Sequence, residues 1–386
     1  MRSLPPQLLR ALAVGAASLA GATAASWPLA RDAAVVFPSA PDMPDLHASM
    51  WLPIQIRTAI EGGHSLWWAP ELLWPEGQSI ALLIWNLLLS IAQLPLYAAF
   101  EPLQAYNLSL IGFAALGGAA AFSLGRRLGG PAGGLVAAAL TLCSPYVWNE
   151  LLQGRPEQGM LAGLLWTTAG LVSLHQDPAP TRRQGARVGL AWALTGLCYW
   201  FYGYFLLLII GTLALVAVAR RQRALLMALG VAAATAAAIA GPFAAALLWE
   251  AISSGSTYQR STSPALLTQL HALSQGASLG VRHLIWPLSP PEHLRDILPL
   301  SALIAAVACL WGPARRRAGF LLPLAAAGLL LALGRQLQWA PGEPVMMGES
   351  ALSMPFAWMQ SLPGFGRLWW PYRMLSLFIV GAAGCA

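Results

Sequence analysis

Apolar residues run through this chain in long blocks, separated by short stretches rich in arginine, proline or tryptophan. A helix needs roughly 20 apolar residues to cross a bilayer. The clearest blocks of that kind are 8–26, 104–125, 157–174, 203–219, 224–249, 297–311 and 318–334, and the shorter 131–146 and 187–201 read as spans on the same grounds. The first block resembles a signal peptide, with Arg2 and Arg10 ahead of small residues, but a polytopic chain follows it, so a retained span is expected. The last block, after Arg373, is too short to cross and is expected to be an incomplete helix.

Composition agrees with the pattern: 57% of the 386 residues are hydrophobic and 10% are charged, where soluble domains carry about 25% charge. Mean hydropathy is +0.60. The chain contains no lysine, so its cationic groups are all arginine. Arginines near span ends mark the cytoplasmic side. Arg2 and Arg10, Arg126 and Arg127, Arg182, Arg183 and Arg187, Arg220, Arg221 and Arg223, and Arg315, Arg316 and Arg317 can all share that side if spans between clusters come in pairs.

That parity excludes 79–100 as a full span. Pro95, Asn86 and Gln93, which a lipid-facing helix centre disfavours, fit a helix lying in or dipping into the outer interface. With this topology only Asp177 of the 15 acidic residues falls on the cytoplasmic side. The outer face, formed by 27–103, about 250–296 and 335–372, is the expected working face. Its tryptophans suit a headgroup-level belt, or, in the pairs Trp67–Trp68 and Trp369–Trp370, a platform for a sugar ring or lipid headgroup. The four cysteines lie in or beside apolar spans, and no P-loop, dinucleotide fingerprint or internal repeat is present. No nucleic-acid partner is expected.

The first outer loop carries the densest chemistry. In "FPSAPDMPDLHASMW", Asp42, Asp45 and His47 are framed by Pro38, Pro41 and Pro44, which should hold the segment extended and out of any helix. A short interfacial helix is expected from near Pro53 to Gly62–Gly63. The next outer loop, "NELLQGRPEQG", offers Glu150, Arg155 and Glu157.

The order of one span, "PDLHASMWLPIQIRTAIEGG", "LLWPEGQ", "AYN" entering the second span, and "GRRLGGPAGGLVAAALTLCSPYVW" across a cytoplasmic turn resembles the GT-C superfamily of integral-membrane glycosyltransferases. The resemblance covers roughly 1–175, leaving 176–386 as a variable transmembrane region. It implies an all-α polytopic bundle of about ten transmembrane helices with juxtamembrane helices in the outer loops. It also implies a bacterial plasma-membrane location, a cytoplasmic N-terminus, and sugar transfer from a polyprenyl-phosphate donor on the outer face. Asp45 matches the family's catalytic acidic position and Asp42 is its neighbour, although Met43 and Pro44 separate two residues that relatives often carry adjacent.

The chemistry asks for the same residue types. A carboxylate takes the acceptor hydroxyl's proton, and arginine or a divalent cation such as Mg or Mn stabilises the departing phosphate. Arg373 in "WWPYR" is the favoured clamp among the outer arginines, with Arg155, Glu157, His47 and Trp51 as further substrate contacts. Asp42, Asp45 and Glu157 are the oxygen donors a metal would use. Two other classes stay open: a transporter or flippase for lipid-linked saccharides, which would carry ionisable groups at mid-span, and a non-catalytic scaffold of the same fold.

Overall fold

The computed structural model describes residues 5–39, 44–72, 75–80, 86–253, 321–340, 343–362 and 371–385. The expected span 297–311, Asp42, and the Trp369–Trp370 pair lie outside them. Among the described residues the fold is mostly helical, with three short hairpins. Helix α1 (Pro6–Ala25) is followed by the short α2 (Trp27–Arg31), α3 (Pro44–Gly62) and α4 (Leu87–Ala99). Then come α5 (Pro102–Leu142), the short α6 (Pro145–Leu152) and α7 (Pro156–Gly159), and the long α8 (Ala162–Gln176), α9 (Arg182–Cys198), α10 (Trp200–Ala219) and α11 (Arg223–Ser253). Beyond these lie α12 (Leu321–Ala332), α13 (Pro355–Gln360), a 3₁₀ turn at Pro371–Met374 and α14 (Leu375–Cys385).

Among the described residues, four stretches are long and apolar enough to cross a membrane: Pro6–Ala25, Pro102–Leu142, Trp200–Ala219 and Arg223–Ala246. The second is two helices in one. Gly130 takes φ 72° and ψ −164°, a conformation open to glycine and strained for other residues, and Pro131 restarts the helix at a position where its missing N–H costs nothing. The limbs fold back on each other, so that a side chain at Gly118 would meet Leu142 and one at Gly125 would meet Gly133 and Ala137. The two expected spans 104–125 and 131–146 are these limbs. Glycine spacing also sets the contact of α9 with α11: a Cβ at Gly185 or Gly189 would lie 2.3 Å from the carbonyl of Ala228 or Ala232. Small residues four apart let backbones approach this closely, the route by which helices associate in lipid.

The chain therefore has two ends. At one, Arg127 donates to Ser173, Arg182 reaches the Met227 sulfur at 3.8 Å, and Gln184 donates to Asp177 at 2.9 Å. There a Thr181–Gln184 capping box starts α9. The opposite end gathers α3, α4, α6, α7 and the 3₁₀ turn.

Two expectations are corrected. The prolines before residue 47 do not exclude a helix: Pro44 is the first residue of α3 and Asp45 stands in its first turn. Proline in isolation reads as extended chain, but at the first helical position its fixed φ is suited to helix and its missing N–H would have been unpaired anyway. Asp45 adds negative charge where the helix dipole favours it. Pro53 lies inside α3 without ending it. The expected span at 157–174 begins instead at Ala162, because Pro156 opens the separate turn α7.

The stretch 79–100 contains α4, thirteen residues long and so too short to span. Ser90 and Gln93 are buried against protein, which meets the hydrogen-bonding need that lipid would leave open. Helix α3, hairpin β1 (Trp68–Ala69)–β2 (Gln78–Ser79) and α4 share a satellite core of Leu52, Ile56, Ala69 and Ile80, with Trp51 and Trp67 against it. Hairpins β3 (Gln338–Ala340)–β4 (Glu343–Pro344) and β5 (Met346–Met347)–β6 (Ser350–Ala351) follow α12.

The two ends should lie on opposite faces of a membrane. In a background with its four cysteines replaced, a cysteine at Glu76 is expected to react with an impermeant thiol reagent added outside intact cells, and one at Asp177 to react only after permeabilisation. Equal labelling of the two would show that the helices do not carry the chain across as their order requires.

Candidate functional site

The site grows from the turn between α6 and α7. Ser144 and Pro145 break the second limb of α5 and start α6, which presents Asn149 and Glu150 to the interior. The Glu150 carboxylate is wholly buried. An ionised carboxylate there requires compensation, and it receives the Arg155 Nε at 2.7 Å, the Arg155 Nη2 at 3.3 Å and the Asn149 amide at 2.7 Å. Gln153 completes the ring, donating to Asn149 at 2.8 Å and accepting from Arg155 at 2.5 Å. Burial alone would lower the Arg155 pKa, but the neighbouring Glu150 carboxylate reverses the direction and raises it.

Arg155 then reaches outward. Its Nη1 lies 3.4 Å from Asp45 Oδ2, joining the start of α3 to the turn between α6 and α7. The Arg155 side chain is 15% exposed and that of Asp45 54%, so one partner is anchored and the other remains open to solvent. Backbone contact makes the same junction. Gly154, at φ +83°, packs so closely against α3 that a Cβ would fall 2.2 Å from the Leu46 nitrogen and 2.6 Å from the Asp45 carbonyl carbon. Ser49 donates to the Gly154 carbonyl at 2.6 Å. Only glycine meets both the left-handed φ and the approach.

Glu157 sits one turn further on. Asn86, just ahead of α4, donates to one of its oxygens at 3.3 Å, and Gln158 donates to the other at 3.2 Å. Burial pushes the Glu157 carboxyl up from its ordinary value of 4.5, against the hydrogen bonds and the Arg373 and Arg155 charges that favour ionisation. Arg373 enters from the 3₁₀ turn before α14, and its Nε is buried without a hydrogen-bond partner. It stands in the field of Tyr199, Tyr372, Glu150 and Arg155.

Beneath these groups lies a buried tyrosine layer. Tyr146 and Tyr202 place their hydroxyls 3.4 Å apart, Tyr202 donates to the Gln158 carbonyl, and the Tyr146 and Tyr372 rings meet edge-on at 6.3 Å. Tyr199 meets Tyr202 at 4.9 Å. The hydroxyls of Tyr106 and Tyr199 and the Gln158 amide oxygen are buried without partners.

Of the residues expected from sequence, the structure brings Asp45, Arg155, Glu157 and Arg373 into one cluster at the end of the helices. His47 is exposed on α3, and Trp51 packs on the satellite core instead of facing the cluster. Glu150, offered by the sequence as one polar group among several, is the anchor of the set. The tyrosines were not anticipated, since tyrosine within apolar runs reads as core or interface. The signal available was their placement at span ends, as in "SPYVW" and "YWFY".

Among the described residues no three His, Cys, Asp or Glu side chains converge as a metal site. Of the oxygen donors expected for a divalent cation, Asp45 bonds Arg155 through one oxygen, and Glu157 accepts from two amides. The expected third donor, Asp42, is outside the described set. Positive charge in the cluster comes from Arg155 and Arg373. No protein-family model matches the chain, and no curated protein matches it.

Two outcomes follow from this geometry. Gly154→Ala is expected to lower stability by at least about 1–3 kcal/mol from backbone strain alone and to loosen α3, seen as a lower melting temperature and faster proteolysis between Arg31 and Arg57. The raised Glu157 pKa means that the folded chain keeps this proton to higher pH than the unfolded chain. Stability should therefore fall as pH rises from 4.5 through the folded value. Glu157→Gln should flatten that fall, and identical melting profiles between pH 4 and 8 for the two proteins would refute it.

Proposed function

We propose that this chain is a GT-C-type glycosyltransferase of a bacterial plasma membrane, with about ten spans and its N-terminus in the cytoplasm. It moves a sugar from a polyprenyl-phosphate donor to an acceptor on the outer face. The observation that carries this reading is the half-exposed Asp45 carboxylate, held by Arg155 at 3.4 Å beside Glu157 and an arginine, Arg373, with an unused buried donor.

The roles follow from what each group has left to give. Asp45 bonds Arg155 through one oxygen, which leaves the other to take the proton of an acceptor hydroxyl. The acceptor oxygen attacks the anomeric carbon, the bond from that carbon to the phosphate oxygen breaks, and the lipid phosphate leaves with the electron pair. Arg373 is suited to the departing phosphate, because a planar guanidinium bonds two phosphate oxygens together and its charge meets the one that develops. Arg155, with four of its five N–H donors on Glu150, Gln153 and Asp45, orients the base. Glu157 lies where it can receive a sugar hydroxyl.

The clustering of ionisable groups at one end of the helices favours surface chemistry over a flippase, whose sites lie near the midplane.

Asp45→Asn keeps the shape of the side chain and removes its charge. Transfer from a radiolabelled polyprenyl-phosphate sugar in proteoliposomes is expected to drop by about 10²–10⁴, with Asp42→Asn affected less. Near-native turnover in both variants would leave the non-catalytic scaffold as the better account.

A further inference from the structure

An open cavity lies away from the Asp45 cluster. It is a cleft of about 550 Å³ between α3, the C-terminal end of α4 and the start of α5, lined by Ile54, Arg57, Tyr97, Phe100, Glu101 and Gln104 among others. Its volume falls in the range of small-molecule sites, roughly 300–1,000 Å³.

The lining combines three kinds of group. Acceptors come first. Helix α4 ends at Ala99, and its last carbonyls have no helical donor. Pro102 stands four residues after Ala98 and has no N–H to give. Among the described residues no backbone N–H outside the helix bonds to the carbonyl of Ala98 or Ala99. The Glu101 carboxylate, ahead of α5, makes no capping bond. Donors come second. Arg57 uses Nη1 on the Tyr97 carbonyl at 3.2 Å and Nε on Glu61 at 2.7 Å, which fixes the guanidinium and leaves its other nitrogen for a ligand. Gln104 supplies an amide. The third kind is an apolar face: Phe100 is 40% exposed and Ile54 39% exposed.

We propose that this cleft binds a neutral saccharide. Sugar hydroxyls both donate and accept, so a ring that carries several of them pairs with an alternating set such as Glu101, the α4 carbonyls, Arg57 and Gln104. The C–H face of the ring meets an exposed aromatic such as Phe100. An anion is disfavoured by Glu101, Glu61 and the negative end of the α4 dipole. A metal cation finds a single carboxylate beside a fixed guanidinium. A lipid tail would leave the carbonyls and Glu101 unpaired, at a cost of about 1–3 kcal/mol for each group.

The cleft is set apart from the cluster at Asp45. Ile54 and Arg57 follow Asp45 by nine and twelve residues on α3, about 14 and 18 Å along its axis. Tyr97 ties the cleft to the scaffold, its hydroxyl donating to Met50 at 3.2 Å. The inference goes beyond the transferase reading and does not need it, since the cleft can hold a sugar whether or not Asp45 performs transfer.

Saturation-transfer difference NMR on the full chain in lipid nanodiscs tests it. The probes are free gluco-, manno- and galacto-configured trisaccharides. Transfer to the ring protons of at least one probe is expected, reduced about fivefold or more by Phe100→Ala and clearly reduced by Glu101→Gln, with melting temperatures unchanged. Asp45→Asn should keep the signal, which separates failure of this site from failure of the transfer reading. Absence of transfer from all three probes, transfer untouched by both cleft variants, or displacement of the sugar by glycerophosphocholine would overturn the proposal, the last by showing a headgroup site.

Discussion

The end of the helices that carries Asp45 depends on one ion pair. Glu150 is a carboxylate with no exposure, and a buried charge that loses its partner costs on the order of 3–5 kcal/mol. Arg155 supplies that partner from five residues on, through a turn that only Gly154 closes at φ +83°. Everything nearby follows from keeping the pair together. The turn fixes the backbone on which Leu46 and Asp45 rest, and the spare edge of the same guanidinium reaches Asp45. A buried pair is weak evidence for stability in itself, since hydrophobic replacements often do as well. What it does here is place: two loops separated by more than a hundred residues share one fixed cation.

That placement is reinforced by a small scaffold packed beside the long helices. Helix α3 rests on a satellite core with α4 and the β1–β2 hairpin, and Gln55 donates to the Trp68 carbonyl at 3.1 Å. Asn107, near the start of α5, donates to the carbonyls of Ala33 and Val36 at 2.8 Å each, holding the segment before α3. Asp45 is thus a side chain on a packed helix, where sequence reasoning expected an extended loop. Groups on regular elements hold their geometry more closely than groups on loops.

Hydropathy made most of the described long helices legible, because lipid imposes one length and one chemistry on every span. Within 79–100 the described helix covers only Leu87–Ala99, and Gln93 on it is buried against protein. Local grammar failed at Pro44, where the same ring that stiffens an extended chain also opens a helix, and the choice was made by the docking of Leu46 on Gly154. The convergence of Asp45 with Glu157 and Arg373 could be expected from topology, but not the part played by Glu150. Its role as anchor depends on burial, and burial is a property of contacts far apart in sequence. Trp51, expected from sequence as a substrate contact, packs partly buried against the satellite core, a placement set by α3, α4 and the hairpin together.

The two arginines of the cluster differ in a way that bears on chemistry. Arg155 has spent its donors on Glu150, Gln153 and Asp45, so it can orient but has little left for an incoming anion. Arg373 keeps a buried Nε with no partner, and the Tyr199 and Tyr106 hydroxyls and the Gln158 oxygen are likewise unpaired. Each such group costs about 1–3 kcal/mol in a folded protein, and native structures hold few of them. Arg373, Tyr199 and Tyr106 all stand in the field of Glu157, a carboxyl whose own charge is disfavoured by burial, so the unpaired groups concentrate around one titratable side chain.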